Sequence, residues 1–224
     1  MGIPSYLRWV AKTAKVAVSD SRNKFPIDIL CIDGNPDLYA AHSIIISKCD
    51  PSKTYSKAVL DKQIIDLVIQ RYVDEVIKIE PKRLYLAIDG VPPRAKMHLQ
   101  RNRRYHKLIL NDYKQYLYKK YNQPEPIIWD TSQFTPGTVF MQKMHTALES
   151  AIKKNKFPCE VIYSGHLEPG EGEHKWNSYL RSLAGCNVCL RSNDGDLLVL
   201  GNQFPQHNVY ILTTLDEVKV YVHV

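Results

Sequence analysis

Four short apolar segments, each leading into acidic residues, restrict the possible fold of this chain more than any other feature. Ile27-Asp28-Ile29-Leu30-Cys31-Ile32 runs into Asp33-Gly34, and Arg83-Leu84-Tyr85-Leu86-Ala87-Ile88 runs into Asp89-Gly90. Residues Glu160 to Ser164 precede a loop ending in Glu171 and Glu173, and Cys186 to Leu190 leads towards Asp194-Gly195-Asp196. Short, apolar and rich in β-branched residues, these read as strands buried on both faces. Between the first two, Leu60, Ile64, Leu67, Val68, Tyr72 and Val76 recur at three- and four-residue steps and predict an amphipathic helix over 58–79. Further helices are predicted over 94–121 and 139–154 and from near Glu173, and Val209 to Leu212 reads as a fifth strand. Asp33-Gly34-Asn35-Pro36 reads as a turn. The alternation predicts an α/β fold: one domain over 1–224 with a mostly parallel central sheet and helices on both faces.

In such sheets ligands bind beyond the carboxyl ends of the strands. Here those ends deliver Asp33, Asp89, the pair Glu171 and Glu173, and the pair Asp194 and Asp196. Carboxylates gathered at one edge repel one another unless a cation or a proton intervenes. Hard divalent cations prefer oxygen ligands, so the expected occupant is Mg²⁺, with Mn²⁺ as a substitute. Residues two apart in extended chain point the same way, and the intervening Gly172 or Gly195 lets backbone approach closely. A single strand-end aspartate usually does no more than form a turn or cap a helix; the repetition is the signal.

Charge gives a second clue. The chain carries a formal net charge of +7, and residues 94–120 hold nine Lys and Arg against one acid, Asp112. The rest of the chain is therefore close to neutral, and the excess lies where a phosphate backbone or an anionic membrane would be attracted. Lys96, Gln100, Arg103 and Arg104 stand at i, i+4, i+7 and i+8, along one face of the predicted helix. Arginine forks suit a terminal phosphate. Lys107, Lys114, Lys119 and Lys120 lie farther along and read as general backbone attraction or a solvated face.

Five scattered cysteines read as reduced core thiols. Cys186 and Cys189 have zinc-knuckle spacing, but no second pair lies at a suitable distance, and in a strand they point to opposite faces. Met1 to Val10 reads as part of the fold rather than a leader, since Arg8 interrupts its apolar stretch. No apolar run approaches the roughly 18–20 residues of a membrane span. An intracellular protein with no membrane partner is expected. Trp9, Trp129 and Trp176 are expected to pack in the core or against the N-terminus, and His166 and His174 to position the acids beside them.

Several blocks resemble the Xrn 5′→3′ exoribonuclease family, in the family's order and over almost the whole chain. They are Met1-Gly2-Ile3-Pro4 with Arg8-Trp9, Asp89 to Met97, Arg101-Asn102-Arg103-Arg104-Tyr105, Ser164-Gly165-His166 with Pro169 to Lys175, and Asp194 to Gly201. The resemblance implies a nuclease core of the PIN and flap-endonuclease type, Mg²⁺ dependence, and digestion of single-stranded RNA bearing a 5′-monophosphate. By motif match Asp33, Asp89, Glu171, Glu173, Asp194 and Asp196 take catalytic metal-site roles. Lys96, Gln100, Arg103 and Arg104 match the 5′-phosphate pocket. Tyr39 falls where the family has a histidine, and its ring can stack on the terminal base. Pro36 replaces a family glycine. The family's later Gly-Asn-Asp-Phe segment, with a further metal-site aspartate, has no counterpart before Val224. A chain truncated relative to the family is therefore expected, and a complete core of reduced activity, a split or degenerate gene and a fragment are all compatible with this ending; a protein supplying the later region is a candidate partner. A catalytically impaired RNA 5′-end-binding protein and a 5′ nuclease acting on DNA are the alternatives.

Overall fold

The computed structural model describes residues 9–10, 18–20, 26–123, 127–191, 196–215 and 218–223. The Met1-to-Arg8 motif and Asp194 lie outside the described residues, as does the side chain of Asp196. In chain order the elements are β1 (Val18–Asp20), β2 (Ile29–Asp33), α1 (Asn35–Ser47), α2 (Lys57–Ile79), β3 (Arg83–Ala87) and α3 (Arg94–Lys120). A 3₁₀ turn (Thr131–Phe134), α4 (Val139–Lys153), β4 (Glu160–Ser164), α5 (Gly172–Arg181) and β5 (Asn187–Arg191) follow. The last are α6 (Asp196–Gly201), β6 (Asn208–Leu215) and β7 (Val218–His223).

The strands form one sheet in the order β1-β7-β6-β5-β2-β3-β4. The five from β6 to β4 run parallel, while β7 pairs antiparallel with both β6 and β1. This is the α/β, mostly parallel arrangement expected, and it is consistent with a PIN-like core. The antiparallel ribbon at one edge is an addition that the apolar pattern did not predict.

Alternation along the strands divides the core in two. Leu30, Ile32, Leu84 and Leu86 face one side and pack with Leu38 of α1, Ile64, Val68 and Tyr72 of α2, and Phe140 and Met144 of α4. Ile29, Cys31, Val188 and Leu190 face the other and pack with Trp176 and Leu180 of α5 and Leu197 and Leu198 of α6. The helices thus cover both faces, as a parallel sheet requires. All five cysteines are free; Cys189 lies in the first cluster and Cys186 packs on the second, so the pair does point apart. Trp129 and Trp176 are core residues, whereas Trp9 is 60% exposed.

The main local correction falls at residues 35–47. The Asp-Gly-Asn-Pro run is not a free turn: Gly34 caps α1 and Pro36 sits in its first turn. Proline fits there because its missing N–H is one a helix start leaves unpaired, and its φ is already helical. Leu38 and Ala41 then bury against α2.

Chain order puts the switch point beside β2. From β2 the chain moves outward through β3 to β4, then crosses back to place β5 on the other flank of β2. A crevice opens where the order reverses, outside the carboxyl ends of β2 and β5.

Candidate active site

Asp33 is the last residue of β2, and Asp89 lies two residues beyond β3. Glu171 caps α5 and Glu173 sits in its first turn. The loops that carry them are tied together. Gly90 N–H donates to Gly170 O (2.8 Å) and Gly170 N–H donates to Val91 O (2.9 Å), which sets Asp89 against Glu171. The approach is close enough that a Cβ on Gly90 would lie 1.7 Å from Glu168 O, so only glycine fits.

Asn35 joins the first two acids. Its backbone N–H donates to Asp33 Oδ1 (3.2 Å) and its side-chain amide donates to Asp89 Oδ2 (2.8 Å). In return Asp89 N–H donates to Asn35 Oδ1 (3.0 Å). The α5 end closes the ring, with Gly172 N–H donating to Asp89 Oδ1 (2.8 Å). A Cβ on Gly172 would lie 2.8 Å from Asp33 Oδ1. The glycine between the two glutamates is thus what lets α5 reach Asp33. Gly172→Ala should displace the Asp33 carboxylate while sparing the core. Thermal melts should move by less than about 3 °C, and any activity of this site should fall by about 10²-fold or more, as for a misplaced reacting group.

The acids feel one another. The Asp33 carboxyl is pushed up to about 7, first by burial, then by the charges of Asp89 and Glu173. Burial and the charge of Glu171 likewise raise Asp89. Four carboxylates from three strand exits therefore do converge, as the sequence predicts. Asp196 opens α6 after β5, on the flank of β2 where that reading places it.

One oxygen is conspicuous. Glu171 is buried; its Oε2 accepts from the Lys96 ammonium, while its Oε1 is buried with no hydrogen-bond partner. Leaving such an atom bare is unfavourable unless a ligand meets it. Ligand atoms of Glu171, Glu173 and His174 lie within 4.8 Å of one another, a possible acidic metal-binding cluster. His174 is more exposed than expected of a positioning group. His166 is the other histidine singled out by the sequence. It is buried, its Nδ1 accepts from Gly137 N–H (3.4 Å), and burial followed by His145 lowers its pKa.

The basic residues divide. Burial opposes protonation of Lys96, yet its bond to Glu171 carries the ammonium above its ordinary range. Gln100 and Arg104 line a cavity of about 510 Å³ with Arg94, Met97, Arg101 and Thr135. Arg104 also donates to Thr135 Oγ1 (3.3 Å). Tyr39, in the second turn of α1, links the two halves. Burial first, then Asp89, raises its hydroxyl pKa, while Arg104 and Arg103 draw it down. Its ring is half exposed, edge-on to Phe134 at 5.0 Å, with Lys107 Nζ 5.8 Å from its centre.

Three supports were not predicted as such. Lys175 is buried and donates to Ile88 O (2.7 Å) and Gly165 O (2.8 Å), joining the β3 and β4 exits to α5. Asp37, in the first turn of α1, is buried and held by Arg71 and Arg191. Tyr72 O–H donates to Gly34 O (2.8 Å), fixing the β2 exit. Lys175 and Asn35 stood within or beside the motifs, but their roles depend on partners far away in sequence.

Residues 1–214 match the profile of the XRN 5′-3′ exonuclease N-terminus. 5′-3′ exoribonuclease 1 of Schizosaccharomyces pombe is 31% identical, over 90% of this chain and 16% of its own length. 5′-3′ exoribonuclease 1 of Saccharomyces cerevisiae is 30% identical, over 90% and 14%. The 5′-3′ exoribonuclease 2 homolog of Caenorhabditis briggsae is 29% identical, over 95% and 26%. The chain thus spans about a quarter or less of these relatives' length. With that match over nearly its whole length, the chain belongs to the XRN 5′-3′ exonuclease N-terminal family.

Proposed function

We propose that this chain is a Mg²⁺-dependent 5′→3′ exoribonuclease that removes nucleotides from single-stranded RNA carrying a 5′-monophosphate. The observation that carries this reading is the meeting of Asp33, Asp89, Glu171 and Glu173 at one sheet edge, with Lys96 bridging from the basic helix to Glu171. The residues fit a hard cation: the donors are carboxylate oxygens, one is buried without a partner, and burial followed by mutual repulsion raises two of the acids.

Asp33, Asp89, Glu171 and Glu173 would hold the metal, joined by Asp194 and Asp196 through the motif. Held there, a pair of such ions would supply an activated water and charge neutralisation at the departing oxygen. The protein's share is position. Asn35 and Gly172 N–H aim the two aspartates, and Lys175 fixes the loop ends behind them. Lys96, Gln100, Arg103 and Arg104 would cradle the 5′-phosphate, and Tyr39 would stack on the terminal base. A pocket closed around a monophosphate would exclude capped or triphosphate ends by size.

Arg103 tests the cradle. It is solvent-exposed and in the helix interior, so Arg103→Ala should leave the fold intact. In a Mg²⁺ assay, preference for 5′-monophosphate over 5′-hydroxyl RNA should fall by about tenfold or more, the worth of a charge-assisted contact. Preference retained in full would remove Arg103 from the pocket. A matched DNA strand in the same assay separates RNA from DNA specificity.

A further inference from the structure

Helix α3 runs for 27 residues and buries none of them. Its outer half is not simply polar. Tyr105, Ile109, Tyr113, Tyr116 and Lys120 stand at i, i+4, i+8, i+11 and i+15, which places them within an arc of about 80° on the helix. The first four are between 56% and 66% exposed. The Tyr113 and Tyr116 rings lie near parallel, 23° apart in plane and 6.4 Å between centres. Lys120 Nζ sits 5.8 Å from the ring centres of both Tyr116 and Tyr121. A stripe of exposed large side chains in water is a feature that usually marks a contact surface.

We propose that this stripe is a second contact for single-stranded RNA, binding bases without sequence preference beyond the end-recognition site. The inference rests on the reading of the inner half of α3 as the 5′-phosphate cradle, and extends it outward along the same helix. Residues 105–121 carry Lys107, Lys114, Lys119 and Lys120 against Asp112 alone. A second copy of this helix would therefore meet like charge, whereas a polyanion is attracted and releases its counterions. Tyrosine faces interleaved with lysines are the combination that holds unpaired bases: the rings stack on any base while the cations track the phosphates. From Arg104 to Tyr116 the helix rises by about 18 Å, so a strand fixed at its 5′ end has several nucleotides in reach of the stripe.

The test is fluorescence anisotropy without divalent cation, so that no RNA is cut, using 5′-monophosphate oligonucleotides of about 4 and about 20 nucleotides, within the range of lengths such surfaces cover. The longer RNA should bind more tightly. The triple substitution Tyr113→Ala, Tyr116→Ala, Lys120→Ala should weaken the longer RNA by about tenfold or more and leave the shorter one unchanged, since each stacked ring contributes that order. Tyr113→Phe with Tyr116→Phe keeps both faces and should restore affinity. Raising salt should weaken the longer RNA more in the wild type than in the triple variant. Equal binding of the long RNA by wild type and triple variant would overturn the proposal. So would a wild-type dimer in sedimentation that the triple variant dissolves without change in RNA affinity, which would make the stripe a protein interface. Arg103→Ala provides the separation from the reading beneath. A longer RNA with a 5′-hydroxyl end should still respond to the stripe and not to Arg103, so failure of end recognition and failure of the stripe are distinct results.

Discussion

Replacing Asp33 by Asn should abolish RNA hydrolysis and, at the same time, make the metal-free chain more stable at about pH 8. The two effects have one cause. Asp33 titrates at about 7 in the folded chain against an ordinary value of 3.8, because burial, Asp89 and Glu173 all oppose its charge. Below about pH 4 the carboxyl is protonated whether the chain is folded or not, and there is no penalty. Between about pH 4 and pH 7 the unfolded chain gives up this proton while the folded chain keeps it, so stability falls across that window and the full penalty stands above 7. A shift of that size corresponds to roughly 4 kcal/mol at most, and sharing of protons with Asp89 reduces it to about 2–4 kcal/mol. Asn removes the charge but keeps the shape, so the metal-free melting temperature at about pH 8 should rise by about 5 °C or more. The gain should vanish near pH 4. Added Mg²⁺ should raise the melting temperature of the wild type but much less that of the variant, and the variant's hydrolysis should fall by about 10³-fold or more. A variant less stable than the wild type at high pH would mean that Asp33 is a structural acid.

Lys175→Met should have the opposite signature, a large loss of stability. The buried ammonium satisfies Ile88 O and Gly165 O, carbonyls at the exits of neighbouring strands. Burial lowers its pKa, with the charges of Glu168 and Asp89 acting in the other direction. Methionine fills the volume but donates nothing, leaving Ile88 O bare at about 1–3 kcal/mol, while Gly165 O keeps its bond from Glu168 N–H. Urea or thermal unfolding should show a loss of about 1–3 kcal/mol, a substantial share of the stability of any single domain. The melts should be equally affected with and without Mg²⁺, because the defect lies behind the carboxylates. A loss below about 1 kcal/mol would show that water replaces the ammonium readily.

These two residues also mark what was legible in the sequence. Asp33 was visible because strand, exit and acid are consecutive, and the same local sentence is repeated at Asp89. The buried strands follow from their continuous apolar runs, which is why Leu30 and Cys31 could be assigned to them before any packing was seen, whereas the order of the strands depends on pairings between distant segments. Lys175 was visible only as a letter in a motif. Its partners lie 87 and 10 residues away, and nothing local says that its ammonium turns inward. Asn35 is similar: it reaches across 54 residues to Asp89, while its neighbours Gly34 and Pro36 suggested only a turn. That suggestion concealed α1, although Leu38, Ala41 and Ile45 carry a helical spacing. Strong turn chemistry at a helix start and at a loop reads alike until the next turn is counted. The basic helix was legible as a charge run, but its lack of any buried residue depends on the rest of the fold stopping short of it.

The central claim is that Asp33, Asp89, Glu171 and Glu173 meet to hold a divalent cation, and diffraction from crystals grown with Mn²⁺ tests it most directly. Anomalous scattering should place metal within about 2.5 Å of Glu171 Oε1 and of at least one aspartate oxygen, with Lys96 drawn off the Glu171 carboxylate. A well-ordered site that stays free of anomalous signal at saturating Mn²⁺, with Lys96 still bound to Glu171, would contradict the account.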